Sequence, residues 1–151
     1  MTTDAGVLTT RSAVILLREG ELALIKRERD GRRYYLFPGG GVEESESLEA
    51  AAAREALEEL GLTIRVGRLV ALSKAPARKQ YYFLAQIVGG QFGTGAGEEL
   101  NSSANSRKGS YRPVWMKISD LRDHDVRPGS LRDLIVSGEL ENMRGLLDVK
   151  D

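Results

Sequence analysis

The stretch REALEELGL, residues 54–62, places three carboxylates, Glu55, Glu58 and Glu59, on one short segment. On a helix Glu55 and Glu59 overlie one another and Glu58 flanks them. Like charges four residues apart destabilise an isolated helix by about 0.2–0.5 kcal/mol, so the crowding asks for a compensating cation. Mg²⁺ suits such a group, because it takes a few carboxylates together with waters and the phosphate oxygens of a substrate. Between Glu43 and Glu59 lie seven glutamates and one basic residue, Arg54, which stands four before Glu58 and can pair with it. Immediately upstream, FPGGG sets Gly39, Gly40 and Gly41 in series. Glycines accept positive φ and let a backbone come close to a ligand, so a carbonyl from this run can stand beside the carboxylates. For the acidic residues alone, a solvated helix face is the better reading. The glycine run in front of them argues for a metal.

Such a site needs a helix laid on a sheet, and the rest of the sequence supplies one. Residues 10–17 read as a buried strand, 18–20 as a turn, and 21–29 as the returning strand of a hairpin. A short strand over 33–37 is stopped by Pro38 and the glycines, and 41–47 form a loop with Ser45 or Ser47 as the cap of the next helix. Residues 48–60 are strong helix formers, with Ala53, Leu57 and Leu60 as the expected apolar face and Gly61 placed to end the helix. Strands follow over 62–75 and 80–88, then a long loop over 89–110 carrying Glu98 and Glu99. Residues 111–118 form a further strand in which Pro113 implies an edge or a bulge. Residues 130–137 have helical spacing. The mixed order predicts α/β (α+β), with a mixed sheet between helices.

At 151 residues the chain is expected to be a single domain, 1–151, in which 139–151 is a polar tail with no assigned order. Basic and acidic residues number 22 each, so a nucleic-acid polymer is not an expected partner. There is no cysteine, which excludes disulfides, thiol nucleophiles and thiolate zinc sites. The single histidine, His124, leaves little for a histidine zinc site or a triad and reads as a surface loop residue. No apolar run reaches the roughly 18 residues of a membrane span. The segment MTTDAGVLTT lacks the basic start and apolar centre of a signal peptide, so the expected location is the cytoplasm. GGQFGTGAG at 89–97 has no GxxxxGK[ST] pattern and reads as loop. Tyr34, Tyr35, Tyr81, Tyr82 and Trp115 are read as core before they are read as base-stacking groups.

Taken whole, GGVEESESLEAAAAREALEELGL from Gly40 to Leu62 resembles the Nudix box, G-x5-E-x7-R-E-U-x-E-E-x-G-U with U apolar. Gly40, Glu46, Arg54, Glu55, Ala56, Glu58, Glu59, Gly61 and Leu62 fill its nine fixed positions, Ala56 being smaller than usual. The resemblance implies the Nudix fold and Mg²⁺- or Mn²⁺-dependent cleavage of a diphosphate linkage in a nucleoside diphosphate attached to another group. By the same resemblance Glu55 and Glu59 are the first choices as metal ligands, with Glu58 as ligand or bridging partner and the Gly39 carbonyl as a further ligand. Gly40, Glu46, Arg54 and Gly61 form the structural frame of the box. The general base is a box glutamate, or Glu98 or Glu99 from the later loop. Arg27, Arg29 and Gly40 are the candidate substrate contacts, the two arginines having a plain solvent-facing role as their alternative. The implied partner is a small nucleotide, closest to the nucleoside triphosphates of the MutT group. ADP-ribose, nucleotide sugars and dinucleoside polyphosphates are alternatives, since Pro76, Tyr81 and Tyr82 fit the markers for such substrates poorly. A homodimer is compatible with the family. The competing function is a nucleotide-sensing module that does not cleave, although such modules often lose box glutamates and all are kept here.

Overall fold

Strand β1 (Thr9–Arg18) carries AVILL with no polar break, and residues 13–16 are fully buried. A strand that is apolar at consecutive positions is covered on both faces. The computed structural model, which describes residues 9–95 and 109–149, shows those two coverings. Ala13 and Ile15 enter one hydrophobic cluster, and Val14 and Leu16 enter another. β2 (Glu21–Arg29) alternates in the same way, Leu22 and Leu24 against Ala23 and Ile25.

The chain continues through β3 (Arg32–Leu36), β4 (Gly39–Gly41), α1 (Leu48–Leu60), β5 (Leu62–Ala75) and β6 (Arg78–Gly90). Then come β7 (Ser110–Lys117), β8 (Val126–Arg127), α2 (Gly129–Ser137) and β9 (Leu147–Val149). The strands form one mixed sheet in the order β8-β3-β2-β1-β6-β5-β9, with β4 added on β1 and β7 on β2. The β1–β6, β3–β8 and β5–β9 pairs are parallel. Helix α1 covers one face through Ala52, Ala56 and Leu60; α2 covers the other through Leu131 and Ile135. This is the expected α+β arrangement, a mixed sheet between helices. No helix among the described residues is long and apolar enough to cross a membrane.

The ends of α1 follow from its sequence. Ser47, not Ser45, is the cap, its Oγ accepting the Ala50 N–H at 3.0 Å. Gly61 takes the left-handed conformation, φ 78°, and donates its N–H to the Leu57 carbonyl at 3.0 Å. Pro113 lies on an edge strand, since β7 pairs only with β2 among the described residues.

Three expectations are corrected. The apolar face of α1 is Ala52, Ala56 and Leu60, while Leu57 is 53% exposed. Ala53 and Leu60 do pack inward as expected; Leu57 alone lies off the buried face, which is made largely of alanines that carry little hydrophobic signal. The glycine run does not merely stop a strand: it is itself a strand, β4, antiparallel to Arg11–Ala13. Residues 139–149 are not a loose tail, because Leu140 and Val149 are buried and β9 pairs with β5. Arg68 ties the segment down by donating to the carbonyls of Met143 (2.8 Å) and Leu140 (3.1 Å).

Candidate functional site

The corrected face of α1 changes the meaning of its carboxylates. Glu55 and Glu59 lie beside Ala52 and Ala56 on the side turned to the sheet, and Glu59 is buried. Room for them comes from β4. A Cβ built on Gly40 would stand 2.6 Å from Glu55 Oε1, and one on Gly39 would stand 2.7 Å from Ala13 Cα. None of the three glycines of β4 has positive φ. Gly39 and Gly40 are required because nothing larger than hydrogen fits beside β1 and Glu55, not because of an unusual backbone conformation, whereas a Cβ on Gly41 would meet nothing within 4 Å. The Gly39 N–H donates to Glu59 Oε1 at 2.7 Å, joining helix and strand directly.

Arg54 frames this arrangement. It makes two hydrogen bonds to the Glu46 carboxylate, 2.8 and 3.0 Å, and a third to the Gly41 carbonyl at 2.8 Å. Its remaining nitrogen reaches Glu55 at 2.9 Å and Glu58 at 3.2 Å. One guanidinium thus ties the entry loop, β4 and α1 together. Hydrogen bonds from Arg54 and from the Glu43 backbone hold the Glu46 carboxyl down at about 2. Burial pushes the Glu55 carboxyl above the ordinary range, against the opposing pull of Arg54.

The depressed Glu46 carboxyl fixes a pH dependence. A carboxylate favoured in the folded state stabilises above its unfolded pKa, and the contribution is lost as pH falls through the folded value. Glu46→Gln should therefore melt below the parent chain at neutral pH, with the difference closing between about pH 4.5 and about pH 2. Thermal melts of both proteins across that range are the measurement; a gap independent of pH would remove the ion pair from the account.

Glu55, Glu59 and Gly39–Gly41 line a cavity of about 320 Å³, whose opposite wall is Arg11, Arg27, Arg78 and Tyr111. Arg27 hydrogen-bonds the Tyr111 hydroxyl and lies over its ring at 4.0 Å. A second compartment of about 380 Å³ shares Arg11, Arg27 and Arg78 and adds Arg127, Tyr34 and Gln80. The two form one groove, acidic at one end and basic through the rest.

Of the expected site residues, the structure brings together Gly39, Gly40, Glu55, Glu59 and Arg27. Glu58 does not line the cavity; it is about half exposed, and its carboxylate is held by Arg54. Arg29 is also elsewhere, against Asp30 at 3.7 Å on the exposed end of β2. Arg27 and Arg29 share a face of β2, but the strand has run past the cavity by residue 29. Glu98 and Glu99 lie outside the described residues. Tyr35 and Tyr82 are core, as expected, and His124 is an exposed loop residue set edge-on against Tyr35. Sequence reasoning missed Arg11 and Arg78. The available signal was a lone arginine at the mouth of the apolar run SAVILL, which has no evident use there unless it faces a ligand.

These residues fit a hard divalent cation. The Glu55 carboxylate fills the space a Cβ at Gly40 would take, and the Glu59 carboxylate stands beside it against the Gly39 backbone. Among the described residues no three acidic side chains come together as a metal-holding group, so the expected third carboxylate, Glu58, does not join Glu55 and Glu59.

A family model described as the NUDIX domain matches residues 8–134. The chain is 35% identical over 85 residues to a putative 8-oxo-dGTP diphosphatase of Bacillus subtilis, covering 55% of this chain and 56% of that protein. It is 40% identical over 106 residues to the mouse diphosphoinositol polyphosphate phosphohydrolase 3-alpha, covering 68% and 58%. The chain therefore spans little more than half the length of these relatives. Among solved structures, a NUDIX hydrolase from Nitrosomonas europaea superposes with a TM-score of 0.70 at 19% identity, covering 96% of this chain and 80% of that one. An ADP-ribose pyrophosphatase from Streptococcus suis gives 0.63 at 17% identity, covering 95% and 98%.

Proposed function

Because this chain belongs to the NUDIX domain family, we propose that it hydrolyses a diphosphate linkage in a nucleoside diphosphate derivative, with Mg²⁺ or Mn²⁺ held by Glu55, Glu59 and the Gly39 carbonyl. The reading is carried by the meeting of two carboxylates and three arginines across one cavity. When bound, the dication supplies charge neutralisation of the diphosphate and a water of lowered pKa. The protein's own groups do the rest. Arg11, Arg27 and Arg78 grip phosphate oxygens, for which the planar guanidinium is well shaped. Tyr111 keeps Arg27 turned toward the cavity. Arg54 fixes Glu55 through its short ion pair and also holds one carboxylate oxygen of Glu58. A box carboxylate takes the proton from water, with Glu98 or Glu99 as the alternative acceptor.

A nucleoside triphosphate or related nucleotide is the favoured substrate, in line with the named activity of the Bacillus subtilis relative. The chain would be tested with (d)NTPs, 8-oxo-dGTP, ADP-ribose, nucleotide sugars and diadenosine polyphosphates, with either metal, measuring phosphate and pyrophosphate release. Turnover of at least one of them, stopped by chelator, is expected. Tight nucleotide binding with no turnover under any divalent metal would replace the diphosphatase with a sensing module.

A further inference from the structure

Among the described residues two polar side chains are buried, Ser12 and Glu59. Glu59 accepts the Gly39 N–H and belongs to the carboxylate pair already described. Ser12 has no such use: its Oγ is shielded from solvent and meets no hydrogen-bond partner among the described residues. Burying a hydroxyl without a partner is costly, and such groups are rare in folded proteins. Alanine would occupy nearly the same space without that cost.

The strand register places this hydroxyl. Ser12 pairs with Gly40 on β4 and with Tyr81 on β6. Residues directly opposite each other share a face of a sheet, as do alternate residues of one strand. Val14, two residues along, lies in the cluster beneath α1, and Tyr81 packs against that cluster. The Ser12 side chain therefore stands on the α1 side, one strand spacing from Gly40. A Cβ at Gly40 would come within 2.4 Å of the Glu55 carboxyl carbon and of its Oε2, so the Glu55 carboxylate lies directly over that glycine. Ser12 does not line the cavity; it stands behind the carboxylates that do.

We infer that Ser12 is a positioning residue of the metal site, its hydroxyl donating to Glu55 when that carboxylate turns an oxygen toward a bound cation. The inference rests on the metal reading of Glu55 and Glu59 given above. A hydroxyl bonded to a carboxylate makes a short, charge-assisted contact. Groups placed behind a metal ligand in this way fix its direction, and the ion then meets a carboxylate already aimed at it. Ser12 reaches the ion only through Glu55.

The test is Ser12→Ala, read by measurements that need no turnover. Calorimetric titration of the full chain with Mn²⁺ should give a Kd about tenfold weaker in the variant, the scale on which such supporting groups act. Thermal melts in chelator should place the variant at or above the parent, because an unpartnered hydroxyl has been removed. Saturating Mn²⁺ should then raise the variant's Tm less than the parent's, by about 3–6 °C, since tenfold in affinity is about 1.4 kcal/mol of stabilisation. A purely structural hydroxyl would shift the melts with and without metal alike. Equal Mn²⁺ affinity in the two proteins overturns the inference. So does a variant that melts below the parent in chelator, the result expected of a hydroxyl already satisfied within the fold. The two readings fail differently: a parent chain that binds no Mn²⁺ removes the metal site and Ser12's role with it, whereas equal affinities remove Ser12's role and leave the metal site standing.

Discussion

Glu59→Gln should lower kcat on the best substrate by on the order of 10³-fold while leaving the protein folded. A bound dication stabilises the developing charge of a phosphoryl transition state by several kcal/mol, and about 1.4 kcal/mol corresponds to tenfold in rate. Removing one of the two proposed anionic ligands from a buried position should forfeit much of that. The amide is the informative replacement because Glu59 Oε1 accepts the Gly39 N–H, a bond the glutamine carbonyl can keep. Stability should be unchanged or slightly raised, since the repulsion between Glu55 and Glu59 disappears with the charge. Steady-state phosphate release, Mn²⁺ titration and a thermal melt together read all three quantities. A Glu59→Gln protein with parental turnover would take Glu59 out of the metal set.

Gly40→Ala should cost about 10²-fold in activity by displacing a side chain rather than removing one. The added methyl collides with the Glu55 carboxylate, which cannot swing aside freely because Arg54 holds it at 2.9 Å. Either that ion pair breaks or the helix shifts away from β4, and both leave Glu55 misplaced for a cation. The neighbouring change Gly39→Ala makes a useful contrast. There the methyl meets the backbone of β1, so the loss should appear as a lower Tm as well as lower activity. If Gly40→Ala kept parental kcat and metal affinity, the close approach of β4 to α1 would have no part in catalysis.

Much of this architecture was readable from local pattern. The hairpin of β1 and β2 announces itself through two apolar runs around a Glu-Gly turn, and α1 through Ser47, a run of helix formers and Gly61. What escaped is whatever depends on partners distant in sequence. Nothing near Arg11 or Arg78 reveals that β1 and β6 pair in parallel, setting Thr9 beside Arg78 and Arg11 beside Gln80. Leu57 was wrongly placed on the buried face of α1 because three of the residues packed inward are alanines, whose burial follows from the narrow gap they fit and not from their hydrophobicity. The glycine run was rightly tied to the site, but for its lack of bulk and not for its torsional freedom. β9 is only three residues long, and its pairing with β5 lies more than seventy residues back along the chain.

The parallel pairing of β1 with β6 also sets an order of assembly. Their contacts span about seventy residues, as in the Arg11–Gln80 hydrogen bond, so this loop closes against a larger entropic cost than either neighbouring hairpin. During synthesis β1 stays without its parallel neighbour until β6 leaves the ribosome. The acidic helix, its glycine partner strand and the hairpin arginines Arg11 and Arg27 can come together earlier; Arg78, carried by β6, cannot. An intermediate halted before that closure would carry the carboxylates of the groove without Arg78, and ligands rich in phosphate would select the finished protein over it.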